Sequence, residues 1–221
     1  MNTNKKTSRI LGIAFLIQFA TSFAIIWIKP AWHIPGDIGA TLLMIADHPL
    51  LLQANIFLDM LTALGVIFLG AVLFVTLRNQ NEKFAISALG FYILEGALLV
   101  ASKIATFSLL HLSHEFAQAG QPEYVLTIGN LFLESMNYVD DVLVMLAFCV
   151  GGIIFYYLLH KSHLVPRWLS LWGLIAIIPL LIGTLAAILN MEIPLILYLP
   201  YLPFELVIGI WIFMKGLTET N

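Results

Sequence analysis

Six separate apolar runs, each about as long as a bilayer is thick, decide what this chain can fold into. They are Ile10–Ile28, Leu51–Leu77, Phe84–Leu110, Val139–Leu159, Trp168–Leu189 and Leu195–Met214. A helix rising 1.5 Å per residue needs about 20 apolar residues to cross roughly 30 Å of hydrocarbon. Lipid offers the backbone no hydrogen bonds, so a span must be a helix or part of a closed barrel. The in-out alternation of a barrel strand is missing from these runs. The chain is therefore expected to be all-α and integral to the membrane, a single six-helix transmembrane domain over residues 1–221. Composition agrees, with 61% hydrophobic and 10% charged residues, where soluble domains run nearer half and a quarter. That excludes an ordinary soluble globule, a disordered chain and a nucleic-acid binder, which needs a basic surface. The one cysteine, Cys149, cannot close an intrachain disulfide and sits in an apolar run, where it reads as a packing residue.

The loops give an orientation. One set comprises the N-terminal tail, Arg78–Lys83, His160–Arg167 and the C-terminal tail. It carries Lys5, Lys6, Arg9, Arg78, Lys83, Lys161, Arg167 and Lys215. The other set, Lys29–Leu50, His111–Glu123 and Asn190–Pro194, carries only Lys29. By the positive-inside rule both termini are expected to be cytoplasmic. Lys5, Lys6 and Arg9 before an apolar run resemble a signal peptide, but the run is long enough to span, so an uncleaved first helix is expected. Trp27 and Trp32 at one boundary, and Trp168, Trp172 and Trp211 at the other, fit interfacial anchors.

Three local features qualify this scheme. Pro122–Leu159 has no breaker and as one helix would be about 57 Å long, so either the fourth span projects from the membrane or Pro122–Asn137 is a separate interfacial helix. Gly36–His48 is mildly amphipathic, and Asp37 is placed to cap a short helix on the outer surface. Ala97, Ala101 and Ala105 form a stripe of small residues in the third span, which predicts a helix-packing seam.

Ionisable residues inside spans carry most of the functional information in a membrane protein. Here they are Asp59, Glu95, Lys103, Glu134, Asp140, Asp141 and Glu205. An unpaired charge at a helix centre costs about 2.5–3.5 kcal/mol. One lysine cannot answer six carboxylates, so the set must be paired, neutralised or hydrated. Asn130, Glu134, Asn137 and Asp141 share one helical face, as do Asn55, Asp59 and Thr62. Tyr198, Tyr201 and Glu205 line the last span, which Pro200 and Pro203 interrupt; broken helices are tolerated where they line a cavity. These observations predict a hydrated, outward-open pocket lined by Asp59, Glu95, Lys103, Glu134, Asn137, Asp141 and Glu205.

His111 and His114, spaced i, i+3 at the outer end of the third span, have the composition of half a metal site. With Asp59, Glu134 or Asp141 they could hold zinc or another divalent metal whose bound water attacks a substrate. His33 and His48 lie on the same side; His160 and His163 lie on the other. The string is not HExxH, and no phosphate loop or G-x-S-x-G elbow is present.

The segment Pro166-Arg167-Trp168-Leu169-Ser170-Leu171-Trp172-Gly173 is distinctive, as are Glu205-Leu206, Trp211 and Lys215-Gly216 near the C-terminus. With Arg9 and Glu95 they make the chain resemble, over nearly its whole length, the bacterial multi-pass membrane family known as domain of unknown function 4386. The resemblance implies a helical bundle in a bacterial inner membrane, with no established reaction, and it ranks Glu95 and Glu205 first among the site residues. The leading functional expectation is binding or transport of a small polar or cationic ligand. Its rivals are a metal-dependent enzyme acting on a lipid or amphiphile at the outer leaflet, and an accessory subunit whose polar faces meet a partner's helices. Membrane lipids are expected to surround the chain, and nucleic acid is not expected as a partner.

Overall fold

A computed structural model describes residues 3–189, 191, 197 and 199–218, with side chains from Lys5 onward. The described residues are helical with no strand. The helices are α1 (Thr3–Ile28), α2 (Ile38–Asp47), α3 (Pro49–Leu77), α4 (Glu82–Gln118), α5 (Glu123–Tyr138), α6 (Met145–Ser162), α7 (Arg167–Ile188) and α8 (Leu202–Lys215). Five stretches are long and apolar enough to cross a membrane: Lys5–Ala31, Pro49–Leu77, Glu82–Gln118, Glu123–Ser162 and Arg167–Ile188. They match the first five runs of the sequence, and the fold is that of a helical membrane protein. Of the sixth run, Leu195–Met214, the described helix covers Leu202 onward. Except for Met191, the loop Asn190–Pro194 lies outside the described residues, as do the run's start at Leu195 and Tyr198.

Six helices form a ring in the order α1, α3, α4, α6, α7 and α8, with α7 meeting α8 to close it. Successive neighbours run antiparallel, as short turns between long helices require. Two ends result. At the terminal end the Ser8 hydroxyl accepts from Leu217 N (3.0 Å), and Thr218 N donates to the Leu164 carbonyl (2.9 Å). The turns at residues 78–81 and 163–166 lie at this end. A core around Phe15, Tyr92, Phe155, Tyr156, Phe204 and Ile208 fills the ring.

The opposite end is built differently. α4 has 37 residues, about 55 Å, and Glu123–Ser162 is one continuous helical rod of 40 residues, about 60 Å. Both are nearly twice the thickness of the hydrocarbon. Their surplus lengths pair across a turn at residues 119–122, where Gly120 and Gln121 take positive φ. The choice left open by the sequence is thus resolved as one long helix. It is interrupted only by a π-helical segment, Val139–Val144. α2 lies across the surplus, burying Leu42 and Ile45 with Leu109, Phe116, Val125 and Leu133. Its N-terminus is capped as expected, Asp37 accepting from Ala40 N at 2.8 Å. The projecting ends and α2 form a cap over the bundle.

Two expectations are corrected. Ala97 and Ala101 are exposed and only Ala105 packs, half-buried, against the cap core, so the alanine stripe is not the seam of the bundle. The buried face of α4 carries Ala85, Ala88, Tyr92, Glu95, Gly96, Leu99 and Lys103 instead. Four-residue spacing defines a face but not its partner; the seam forms where Gly96 lies against the Ala63 carbonyl and Ile67. Trp32 is not an interfacial anchor either. It is 1% exposed and packs inside the cap, while Trp27 is 70% exposed.

Candidate functional site

At the cap end of the ring a cleft of about 470 Å³ opens between α1, α3, α4 and the π segment. Each wall has a local origin. α1 ends at Ile28, where Pro30 begins a single 3₁₀ turn that brings Lys29, Trp32 and His33 across the mouth. On α3, Asn55 and Asp59 stand one turn apart and face inward. On α4, Leu99 and Lys103 do the same. The π segment inserts an extra residue into its turn, a device frequent at functional sites, and both Asp140 and Asp141 reach the cleft.

Lys103, 5% exposed, holds the floor together. Its ammonium donates to Asp59 Oδ2 at 2.6 Å and to Asp140 Oδ2 at 3.0 Å. The acids are themselves held. Asn55 Nδ2 donates to Asp59 Oδ2 (2.7 Å), Trp32 Nε1 donates to Asn55 Oδ1 (3.2 Å), and Ser102 Oγ donates to Asp140 Oδ1 (2.5 Å). A buried charge costs several kcal/mol unless paired and hydrogen-bonded, and this network supplies both. Above the floor, Lys29 Nζ donates to Asn137 Oδ1 at 3.0 Å, tying the end of α1 to α5. Asp141 is exposed, in the field of Lys29 and His33. Burial, then the positive charge of Lys29, lowers the pKa of His33 below its ordinary value. The lining is amphipathic, with Ile25, Ile26, Leu99 and Met136 beside these charges.

A second polar group occupies the ring interior. α8 begins at Leu202 with Pro203 in its first turn, and Glu205 sits in that same turn. The Tyr201 hydroxyl donates to Glu205 Oε1 at 3.0 Å and is hydrogen-bonded to the Tyr156 hydroxyl, which also pairs with Tyr92. Glu95 faces Glu205 from α4. Its Oε2 is buried without a hydrogen-bond partner among the described residues, as are Gln18 Oε1 and Thr62 Oγ1.

The seven pocket residues expected from sequence therefore do not share one cavity. Asp59, Lys103 and Asp141 line the cleft, and Asn137 touches it through Lys29. Glu95 and Glu205 belong to the interior group. Glu134 is exposed on α5, bonded to Asn130 Nδ2 at 2.7 Å and away from the cleft lining. His111 and His114 are exposed on α4, and His111 packs edge-on against Phe107. Among the described residues no group of three or more His, Cys, Asp or Glu side chains is placed to hold a metal ion, so these histidines are not joined by Asp59, Glu134 or Asp141. Sequence reasoning passed over Lys29 as a loop residue and Tyr92 as an apolar one. The stripe Tyr92, Glu95, Leu99, Lys103 at helical spacing was the available signal.

No curated protein and no solved structure matches the chain. The family described as Domain of unknown function (DUF4386) matches residues 10–216. That covers nearly the whole chain, its last helix and both polar groups included, and the protein belongs to that family.

Proposed function

We propose that this protein binds a small cationic or zwitterionic ligand in the cleft at its cap end, for uptake or sensing at a cell membrane. The observation that carries the reading is the charge arrangement of the cleft. Three carboxylates, Asp59, Asp140 and Asp141, face two ammonium groups, and Lys103 is already shared by Asp59 and Asp140. The unshared negative charge is on Asp141, at the exposed level of the cleft. Beside it run the apolar side chains of Ile25, Ile26 and Leu99, so an ammonium head with a short apolar body fits both surfaces. Ligand pockets are of this size and are mostly apolar with a few fixed polar groups. The basic residues gather at the terminal end, which supports a cytoplasmic terminal end and an outward-facing cleft. The cell membrane of a bacterium is the setting this implies.

Trp32 lines the cleft and supplies a reporter. Ethanolamine and choline, titrated against detergent-purified protein, are expected to change the tryptophan emission, and Trp32→Phe removes the response. Asp141→Asn should weaken binding at least tenfold. Equal affinity in Asp141→Asn and wild type would refute the assignment.

A further inference from the structure

Among the described residues Glu95 and Glu205 have no cation to answer them. They are 6% and 9% exposed, and the charge of Glu205 reaches Glu95. The groups that face them are Tyr92 from α4, Cys149 and Tyr156 from α6, and Tyr201 just before α8. Among the described residues no Lys, Arg or His acts on either carboxyl. This is the opposite of Asp59, which has Lys103 at 2.6 Å. Glu205 Oε1 accepts one hydroxyl, whereas Glu95 Oε2 is sealed from solvent with nothing bonded to it. A lone carboxylate in such a place costs several kcal/mol, and a facing pair adds repulsion. A positive charge from outside the polypeptide removes both penalties.

We propose that Glu95 and Glu205 form a monovalent-cation site, separate from the cleft, that holds a proton or a sodium-sized ion between the two carboxyl groups. The donors are carboxylate and hydroxyl oxygens, which suit hard cations and not soft ones. The tyrosine chain Tyr92–Tyr156–Tyr201 serves either occupant, because a hydroxyl both donates and accepts and the chain can reorient as charge arrives or leaves. The hydroxyls come from α4, α6 and the N-cap residue of α8, and they end on Glu205, in the first turn of the shortest helix of the ring. Occupancy therefore acts on the packing of Tyr201 and Phe204 against Tyr156 of α6. The assignment does not depend on what the cleft binds.

Infrared spectra of the wild-type protein, purified in detergent near neutral pH without sodium, test this directly. A protonated-carboxyl carbonyl band that disappears in Glu95→Gln or Glu205→Gln, and persists in the exposed control Glu134→Gln, identifies the occupant as a proton. Without that band, sodium chloride but not choline chloride should raise the unfolding midpoint of wild type and Glu134→Gln by several degrees. The same salt should leave both interior variants unmoved, which identifies a sodium-sized ion. Absence of both signals in wild-type protein overturns the proposal, whether or not the variants fold. A band unchanged by either interior substitution also overturns it.

Discussion

Lys103 shows how one side chain can be both expensive and necessary. Alone at its depth it would disfavour insertion; with Asp59 and Asp140 it closes the cleft floor. Lys103→Ala leaves two acids without their cation and should cost about 3–5 kcal/mol, measured as a lower unfolding midpoint in detergent. Lys103→Met combined with Asp59→Asn and Asp140→Asn should recover most of that loss, since the penalty comes from uncompensated charge. His33 carries the pH dependence. Its folded pKa lies below the unfolded value of about 6.5, so below that value the unfolded chain binds the proton more readily. Stability should be full above about pH 6.5 and fall as pH drops toward the lowered folded value. A pH series of unfolding midpoints should show this slope flattened in His33→Gln. The existence of costly charges at Asp59, Lys103 and Glu205 was plain from one chain. Their partners were not, because pairing depends on which helices are neighbours.

Among the elements, close helix contact and the π segment shape the sites. A Cβ on Gly96 would stand 2.9 Å from the Ala63 carbonyl and 2.8 Å from Ile67, so no side chain fits without moving α3 off α4. Gly96→Leu should destabilise by about 1–3 kcal/mol and loosen the Asp59–Lys103 pair across the same interface. Both effects are readable by thermal unfolding and ligand titration. The π turn at Val139–Val144 was invisible in the sequence, since nothing in Val139–Val144 distinguishes i→i+5 from i→i+4 bonding. Deleting Val142 removes the residue that the π turn adds, so i→i+4 bonding should run unbroken from α5 into α6 and the widened turn that carries Asp140 should close. Asp140 would then leave Lys103, and the measured outcome should be loss of the cleft's tryptophan response.

For the molecule as a whole, the decisive feature is asymmetry between a flush terminal end and a projecting cap. Single-cysteine labelling in sealed vesicles checks the orientation. Asn79→Cys, in the turn between α3 and α4, should react only after permeabilisation, and Gln118→Cys, in the cap, should react from outside; reversed labelling would place the cleft in the cytoplasm. Cys149 is buried and should stay silent in either case. The sequence by itself determined the all-helical membrane class, the places of five spans, the α2 cap at Asp37 and the identity of the costly polar residues. Each of these follows from hydropathy, periodicity or local hydrogen bonding along one segment. Only the tertiary structure decided that the polar residues fall into two groups and that Tyr92 and Tyr156 join Glu205. It alone showed that α4's buried face is the glutamate and glycine side and not the alanine stripe. Those outcomes depend on the order and rotation of helices around the ring, and a helical period specifies a face without naming the neighbour that covers it.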